Sequence, residues 1–277
     1  MANAKGYRFR TFQGVFTPSL LTILGVIMYL RFGWVLGNVG LFNSLIIVTI
    51  SSAITFFTAL SISALATNTN VGVGGAYFII SRSLGVEAGA AIGIPLFIAK
   101  ALSISFYISG FAESLSVVLP EFPLKWIGVF TLMALTALAL KSADWALKSQ
   151  FFILTLIVLS LVSFFLGPET GVSLSVPPDF MPRKEPFWFV FSVFFPAVTG
   201  IEAGLSMSGD LKNPSQSLPI GTLSAVVVSY LIYISIPIWL VRLVDDERLL
   251  LHRLFIMRDV ARWGHVVVLG LWGASLQ

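Results

Sequence analysis

Long runs of apolar residues, separated by short polar segments, dominate the chain. A helix needs about 20 apolar residues to cross a hydrocarbon core roughly 30 Å thick. By this measure the pattern predicts seven full membrane spans, at residues 14–37, 41–66, 87–118, 124–141, 147–167, 186–209 and 218–243. An eighth apolar run begins near His265 and reaches only Gln277. At 1.5 Å per residue it covers about 20 Å, so we interpret 265–277 as the start of a truncated eighth span.

The first and the sixth spans are interrupted around glycine. Gly25 lies inside the first apolar run, and both Pro196 and Gly200 lie inside the sixth. An unpaired backbone group in hydrocarbon costs several kcal/mol, so a spanning helix breaks where something polar takes its place. Two broken helices at corresponding positions of two halves indicate the binding site of a secondary transporter. Here they occupy the positions that a five-plus-five inverted repeat would give them, although a proline kink healed by neighbouring helices is the alternative.

The composition agrees with a membrane protein. Hydrophobic residues make up 57% of the chain and charged residues 11%, and the mean hydropathy is +0.93. A soluble domain carries about a quarter charged residues, so we expect an integral, all-helical, multi-pass protein of a plasma or inner membrane. The net charge of +4 fits basic residues that flank a membrane, and we expect no nucleic-acid partner. The chain has no cysteine and shows no catalytic or metal-ligand constellation, so we expect neither an enzyme nor a cofactor.

The positions of the basic residues favour an N-terminus inside the cell. Lys5, Arg8 and Arg10 precede the first span, so residues 1–13 are predicted to form a cytoplasmic tail. Residues 14–243 then contain the seven spans. Residues 244–264, between the seventh and eighth spans, are predicted to form an amphipathic extracellular loop.

The two breaks predict sites for ions of both signs. Pro196 has no N–H and its ring clashes one turn back, so the sixth helix must break there. The second half-helix then starts with free amides near Gly200, an end that carries about half a positive charge and suits an anion. Carbonyls freed before each break suit a cation. The first span offers the same two ends from Ile23 to Ile27.

Several motifs along the chain together resemble the cation-chloride cotransporter family, within the amino acid-polyamine-organocation superfamily and of prokaryotic type. They are Gly25-Val26 to Leu30-Arg31 with Trp34, Gly74-Gly75-Ala76-Tyr77, Tyr107 with Gly110-Phe111-Ala112-Glu113, and Phe195-Pro196 to Thr199-Gly200-Ile201 followed by Ser208-Gly209-Asp210-Leu211. The resemblance implies a leucine-transporter-like fold, of which about seven and a half spans are present. It also implies electroneutral movement of chloride with potassium, with or without sodium, by alternating access.

The resemblance assigns residues to each ion. It places potassium at Thr22, Ile23, Tyr107, Pro196 and Thr199. It places chloride at the amides of Gly25, Val26, Ile27, Gly200, Ile201 and Glu202. It places sodium at Leu21, Leu24, Ala274 and Gln277. This chain has Thr22 where the family usually has asparagine, so one carbonyl ligand for potassium is missing. It has Gln277 where sodium-coupled members have serine. We therefore expect potassium rather than sodium, with proton coupling as a further option.

Four charged residues lie at unusual depths. The resemblance and their positions near the outer ends of two spans predict that Arg31 and Glu113 pair as an extracellular gate. Lys100 and Glu202 are predicted to pair across the central cavity; the alternative is that Lys100 snorkels to the cytoplasmic edge and Glu202 forms a capping box with Thr199. Competing functions are an amino-acid or polyamine permease of the same superfamily and a non-transporting regulatory subunit. Inorganic ions, the bilayer and a second copy of the chain in a homodimer complete the expected partners.

Overall fold

The computed structural model describes residues 9–68, 72–116, 119–141, 143–167, 184–244, 249–250 and 255–276. These residues are mainly helical. The helices are α1 (Thr17–Ile23), α2 (Val26–Asn68), α3 (Gly75–Leu84), α4 (Val86–Ser116), α5 (Leu124–Lys141), α6 (Ala143–Phe165), α7 (Phe187–Phe194), α8 (Glu202–Ser206), α9 (Pro214–Leu243), α10 (Ile256–Asp259) and α11 (Gly264–Ser275). A π-helical turn at Phe12–Phe16 leads into α1, and 3₁₀ turns follow α7 at Phe195–Val198 and α8 at Ser208–Asp210.

Four helical stretches of the described residues are long and apolar enough to cross a membrane. They are Phe12–Asn68, Val86–Ser116, Phe187–Asp210 and Pro214–Leu243. The first is 57 residues long and includes both the first and second predicted spans. Shorter apolar helices at Leu124–Leu138, Ser149–Phe165 and Gly264–Ser275 lie within the fourth, fifth and eighth predicted segments.

The first two crossings are joined at Gly40 without a loop. Gly40 has φ 72° and ψ 174°, a conformation that glycine adopts readily and L side chains rarely do. The helical hydrogen-bond pattern continues on both sides of this residue, so α2 turns at one position. The returning half of α2 packs along α9, which forms the most extensive helix–helix interface of the described chain.

The N-terminal segment is tied to the end of the sixth span. The amide of Phe9 donates to the Asp210 carbonyl at 2.8 Å, and the amide of Lys212 donates back to the Phe9 carbonyl at 3.0 Å. The helical structure begins with the π-helical turn at Phe12, two residues before the predicted start of the first span and inside the predicted tail. Within the predicted outer loop, α10 is helical and Leu249 and Leu250 are buried, while residues 245–248 and 251–254 lie outside the described residues.

Candidate functional site

The two interrupted spans meet at their breaks. In the first span α1 ends at Ile23 and α2 begins at Val26; in the sixth, α8 begins at Glu202 after the 3₁₀ turn. Gly200 lies directly against the first break, because a Cβ at this position would be 2.6 Å from Ile23 N and 2.8 Å from the Thr22 carbonyl carbon. A glycine is therefore required for this approach, and it brings the ends of four half-helices into one region.

Six backbone amides at these breaks keep their hydrogens free. Within the described residues, neither a backbone carbonyl nor a side chain accepts a hydrogen bond from the amides of Gly25, Val26, Ile27, Gly200, Ile201 and Glu202. The first amides of any helix lack an intrahelical partner, which is the reason that helix starts attract anions. All six belong to the predicted chloride set; three lie at the break of the first span and three at the break of the sixth.

Hydroxyl groups and carbonyls surround the same contact. Thr22 Oγ1 donates to the Pro18 carbonyl at 2.8 Å, and Thr199 Oγ1 donates to the Pro196 carbonyl at 2.9 Å. Each hydroxyl oxygen keeps lone pairs after donating its hydrogen, so both remain able to coordinate a cation. Proline at 196 leaves the preceding turn short of one hydrogen bond, in agreement with the 3₁₀ geometry there.

A cavity of about 910 Å³ opens beside the breaks. Four of the five predicted potassium residues line it: Thr22, Tyr107, Pro196 and Thr199. Ile27, Gly200 and Glu202 of the predicted chloride set line it as well, whereas Ile23 is buried behind it. A second cavity of about 410 Å³ shares Thr199 and Glu202 with the first, so these two side chains stand between the cavities.

The predicted pair of Lys100 and Glu202 shares this cavity but forms no direct ion pair. The Lys100 ammonium donates to Ser206 Oγ at 2.8 Å, and Ser206 Oγ donates to the Glu202 backbone carbonyl at 2.9 Å. Ser206 lies one helical turn after Glu202, so it reaches the ammonium in place of the carboxylate. Lys100 therefore reaches α8 through Ser206. Its pairing with the Glu202 carboxylate across the cavity stays a prediction.

The alternative role of Glu202, a capping box with Thr199, is wrong. The structure starts α8 at Glu202 with Ile201 as the N-cap, and no side chain caps it. The Thr199 hydroxyl and the Thr199 amide both donate to the Pro196 carbonyl, which in a continuous helix would accept from the Gly200 amide.

The predicted gate pair is apart in this structure. Arg31 lines the large cavity, and both Arg31 and Glu113 are half-buried. No ion pair joins them in the described part of the chain. Their pairing as an extracellular gate stays a prediction.

Three residues of the predicted sodium set are described, and Gln277 lies outside the described residues. Leu21, Leu24 and Ala274 are all buried. In α11 the side chain of Ser275 donates within its own helix, to the Leu271 carbonyl at 2.7 Å. This hydroxyl next to Ala274 was not in the predicted set.

Sequence reasoning also missed Tyr233, on α9. Its side chain is fully buried, and its hydroxyl donates to the Ile23 carbonyl with the Ala197 carbonyl oxygen 3.3 Å away. One hydroxyl thus contacts both broken spans. A tyrosine in the middle of an apolar span was the available signal, since a buried tyrosine hydroxyl needs a partner.

Comparison of the sequence with known proteins identifies its family. Residues 14–276 match the profile of the amino acid permease family. The chain belongs to that family. This permease-family chain is 34% identical to solute carrier family 12 member 2 of Mus musculus over 86% of its own length and 22% of the relative. It is also 34% identical to solute carrier family 12 member 8 of Homo sapiens, over 97% of this chain and 40% of the relative.

A named cotransporter lies among the relatives. The bumetanide-sensitive sodium-(potassium)-chloride cotransporter of Manduca sexta is 37% identical over 83% of this chain and 25% of its own length. The chain thus spans well under half the length of these relatives. The matches confirm the resemblance to the cation-chloride cotransporters. Family membership makes the chain an all-helical, multi-pass protein of the cell membrane with the leucine-transporter-like fold, in a family of transporters rather than enzymes.

Proposed function

We propose that this chain functions in a secondary transporter that moves chloride together with a monovalent cation, potassium rather than sodium, by alternating access. The observation that carries the proposal is the contact of the two breaks at Gly200 and Ile23, with free amides and carbonyl oxygens on the same few residues. Such an arrangement holds both ions with backbone groups, so no buried formal charge is needed for each ion.

Chloride is proposed to bind at the free amides of the two helix starts. The amides of Gly25, Val26 and Ile27 form one group, and those of Gly200, Ile201 and Glu202 form the other. The positive end of a helix dipole adds to each group. Lys100 lines the cavity next to the second group and adds a positive charge, while the Glu202 carboxylate opposes the anion.

The cation is proposed to bind between the first, third and sixth spans. Tyr107, Thr22 and Thr199 supply hydroxyl oxygens, and Ile23 and Pro196 supply carbonyl oxygens. Oxygen ligands of this kind suit an alkali cation. We propose potassium over sodium, because Ala274 in the proposed sodium set brings no side-chain oxygen. Closure of the outer side is proposed to bring Arg31 and Glu113 together.

Purified full-length protein in liposomes tests the proposal. We expect labelled chloride to enter only when external rubidium or potassium is present, at a rate that does not depend on the membrane potential. Chloride uptake that does not depend on external rubidium or potassium, or the absence of chloride uptake, would contradict the proposal. Because no other protein is present, transport in this assay also argues against a purely regulatory subunit.

A second candidate function is an amino-acid or polyamine permease. The observation in its favour is the volume of about 910 Å³ beside the breaks, together with a carboxylate that could hold an amine. In the same liposomes, labelled amino acids or polyamines would then enter, and their uptake would fall in Glu202→Gln. Uptake of chloride with rubidium and of neither organic solute favours the ion cotransporter.

A further inference from the structure

Tyr233 is held rigidly between the two broken spans. Its ring centroid lies 5.6 Å from that of Phe32, in the part of the first span after its break, and 5.8 Å from that of Phe194, just before the break of the sixth. The rings of Phe32 and Phe194 in turn meet edge-on at 5.3 Å. All three side chains are fully buried, so the phenol has little freedom to move.

The hydroxyl at the end of this ring faces two carbonyl oxygens. One belongs to Ile23, the last residue of α1, and the other belongs to Ala197 in the 3₁₀ turn of the sixth span. Carbonyls at the end of a helix lack an intrahelical partner, and in a buried site they need one. A single O–H has one hydrogen, so the two carbonyls of different spans converge on the same donor.

The helix that carries Tyr233 is a fixed reference for the breaks. α9 is continuous from Pro214 to Leu243 and packs along the returning half of α2. α9 continues through Pro237, four residues after Tyr233, and the packing of the Tyr233 ring against Phe32 and Phe194 fixes the position of the hydroxyl. The hydroxyl in turn holds the Ile23 carbonyl by a hydrogen bond. This carbonyl lies at the end of α1, a helix of seven residues.

We propose that Tyr233 is a positioning residue that fixes the separation between the backbone oxygens of the two breaks and thereby selects which monovalent cation fits between them. The inference rests on the proposed function, in which the Ile23 carbonyl is a cation ligand. Selection among alkali cations depends on the spacing and number of coordinating oxygens, and a hydrogen bond to a ligand carbonyl controls its spacing. Tyr233 itself does not line the large cavity, so it acts through Ile23.

The test is the variant Tyr233→Phe, which keeps the ring and removes the hydroxyl. The measurement is chloride uptake by full-length protein in liposomes at varied rubidium, caesium and sodium. The expected result is a rise of roughly fivefold in the KM for rubidium and a similar loss of preference for rubidium over sodium and caesium, as for the loss of one hydrogen bond. The maximal rate should change much less than the KM.

Tyr230→Phe is the matched control. Tyr230 lies on the same helix three residues earlier, and its hydroxyl lies 3.3 Å from Thr49 Oγ1, between α9 and α2 and away from the breaks. We expect this variant to keep the wild-type KM values and cation preference. A change in cation preference equal to that of Tyr233→Phe would overturn the proposal, since it would reflect a general loosening of α9.

The proposal would also be overturned if Tyr233→Phe kept the wild-type KM values and the wild-type cation preference. If that variant does not fold, 3-fluorotyrosine at position 233 keeps both ring and hydroxyl and makes the hydroxyl a stronger donor; a shifted cation preference supports the role and an unchanged one overturns it. If the wild-type protein shows no cation-dependent chloride uptake, the proposed function fails and this inference fails with it. If the wild-type protein shows cation-dependent chloride uptake and Tyr233→Phe has the same cation preference, the proposed function stands and only the inference about Tyr233 fails.

Discussion

Gly200 packs against the backbone of Ile23 so closely that a Cβ on Gly200 would lie 2.6 Å from the Ile23 nitrogen. The atoms in the way belong to the main chain, which cannot rotate aside as a flexible side chain can. The contact joins the ends of the first and sixth spans, and the residues proposed to bind both ions lie on either side of it.

Gly200→Ala is therefore expected to abolish or strongly reduce chloride uptake. The added methyl would force the two breaks apart, and such overpacking costs roughly 1–3 kcal/mol. Uptake by purified protein in liposomes is the measurement, with size-exclusion chromatography to verify folding. Gly128→Ala is the control, because the nearest atom to a Cβ there is Ile108 Cγ2 at 3.7 Å, an ordinary contact. Wild-type uptake in a folded Gly200→Ala protein would show that the contact is not needed.

Tyr107→Phe is expected to weaken cation dependence while leaving the fold intact. The Tyr107 side chain lines the large cavity with Thr22 and Thr199, so the change removes one proposed ligand without opening a cavity. We expect the KM for rubidium to rise roughly fivefold in the flux assay. Tyr77→Phe on α3, where the tyrosine is 41% exposed, should leave it unchanged. An unaltered rubidium dependence in Tyr107→Phe would remove Tyr107 from the site.

Arg31 and Glu113 are expected to be coupled in transport although no ion pair joins them in this structure. If they meet when the outer side closes, Arg31→Ala and Glu113→Ala should reduce the rate of uptake to a similar extent. The double variant should then lose less than the sum of the two single losses. Strict additivity of the three losses in a double-mutant cycle would mean that the two side chains do not meet during the transport cycle.

Lys100 and Glu202 are expected to change chloride affinity in opposite directions. Both line the cavity beside the free amides of the sixth span, so Lys100→Met removes an attractive charge and Glu202→Gln removes a repulsive one. We expect the KM for chloride to rise in the first variant and to fall in the second, each by roughly fivefold for a change on the order of 1 kcal/mol. Glu87→Gln, in the exposed first turn of α4, is the control. Shifts in the same direction would show that neither charge acts on the anion.

The sequence located the breaks well because their causes are local. Pro196 removes a backbone donor and Gly200, four residues later, permits an irregular backbone, so the break of the sixth span follows from the two residues together. Proline alone is not enough, because Pro95 and Pro237 lie inside continuous helices. The partner of Lys100 could not be predicted from residue types, because the Ser206 hydroxyl and the Glu202 carboxylate are both suitable acceptors. Only the side-chain geometry decides between them. Tyr233 was missed for the same reason: its partners are carbonyls of residues 210 and 36 positions away along the chain.

The turn at Gly40 leaves no slack between the first two crossings. Because one residue connects them, a tilt of the part of the first span after its break displaces the returning part of α2, and α2 packs against α9. The part before the break continues into the part after it through Leu24 and Gly25, and its last residue, Ile23, accepts a hydrogen bond from Tyr233 on α9. A hinge motion at Leu24 and Gly25 that moved the part before the break relative to α9 would therefore have to break this hydrogen bond, while the part after the break stays with the second span.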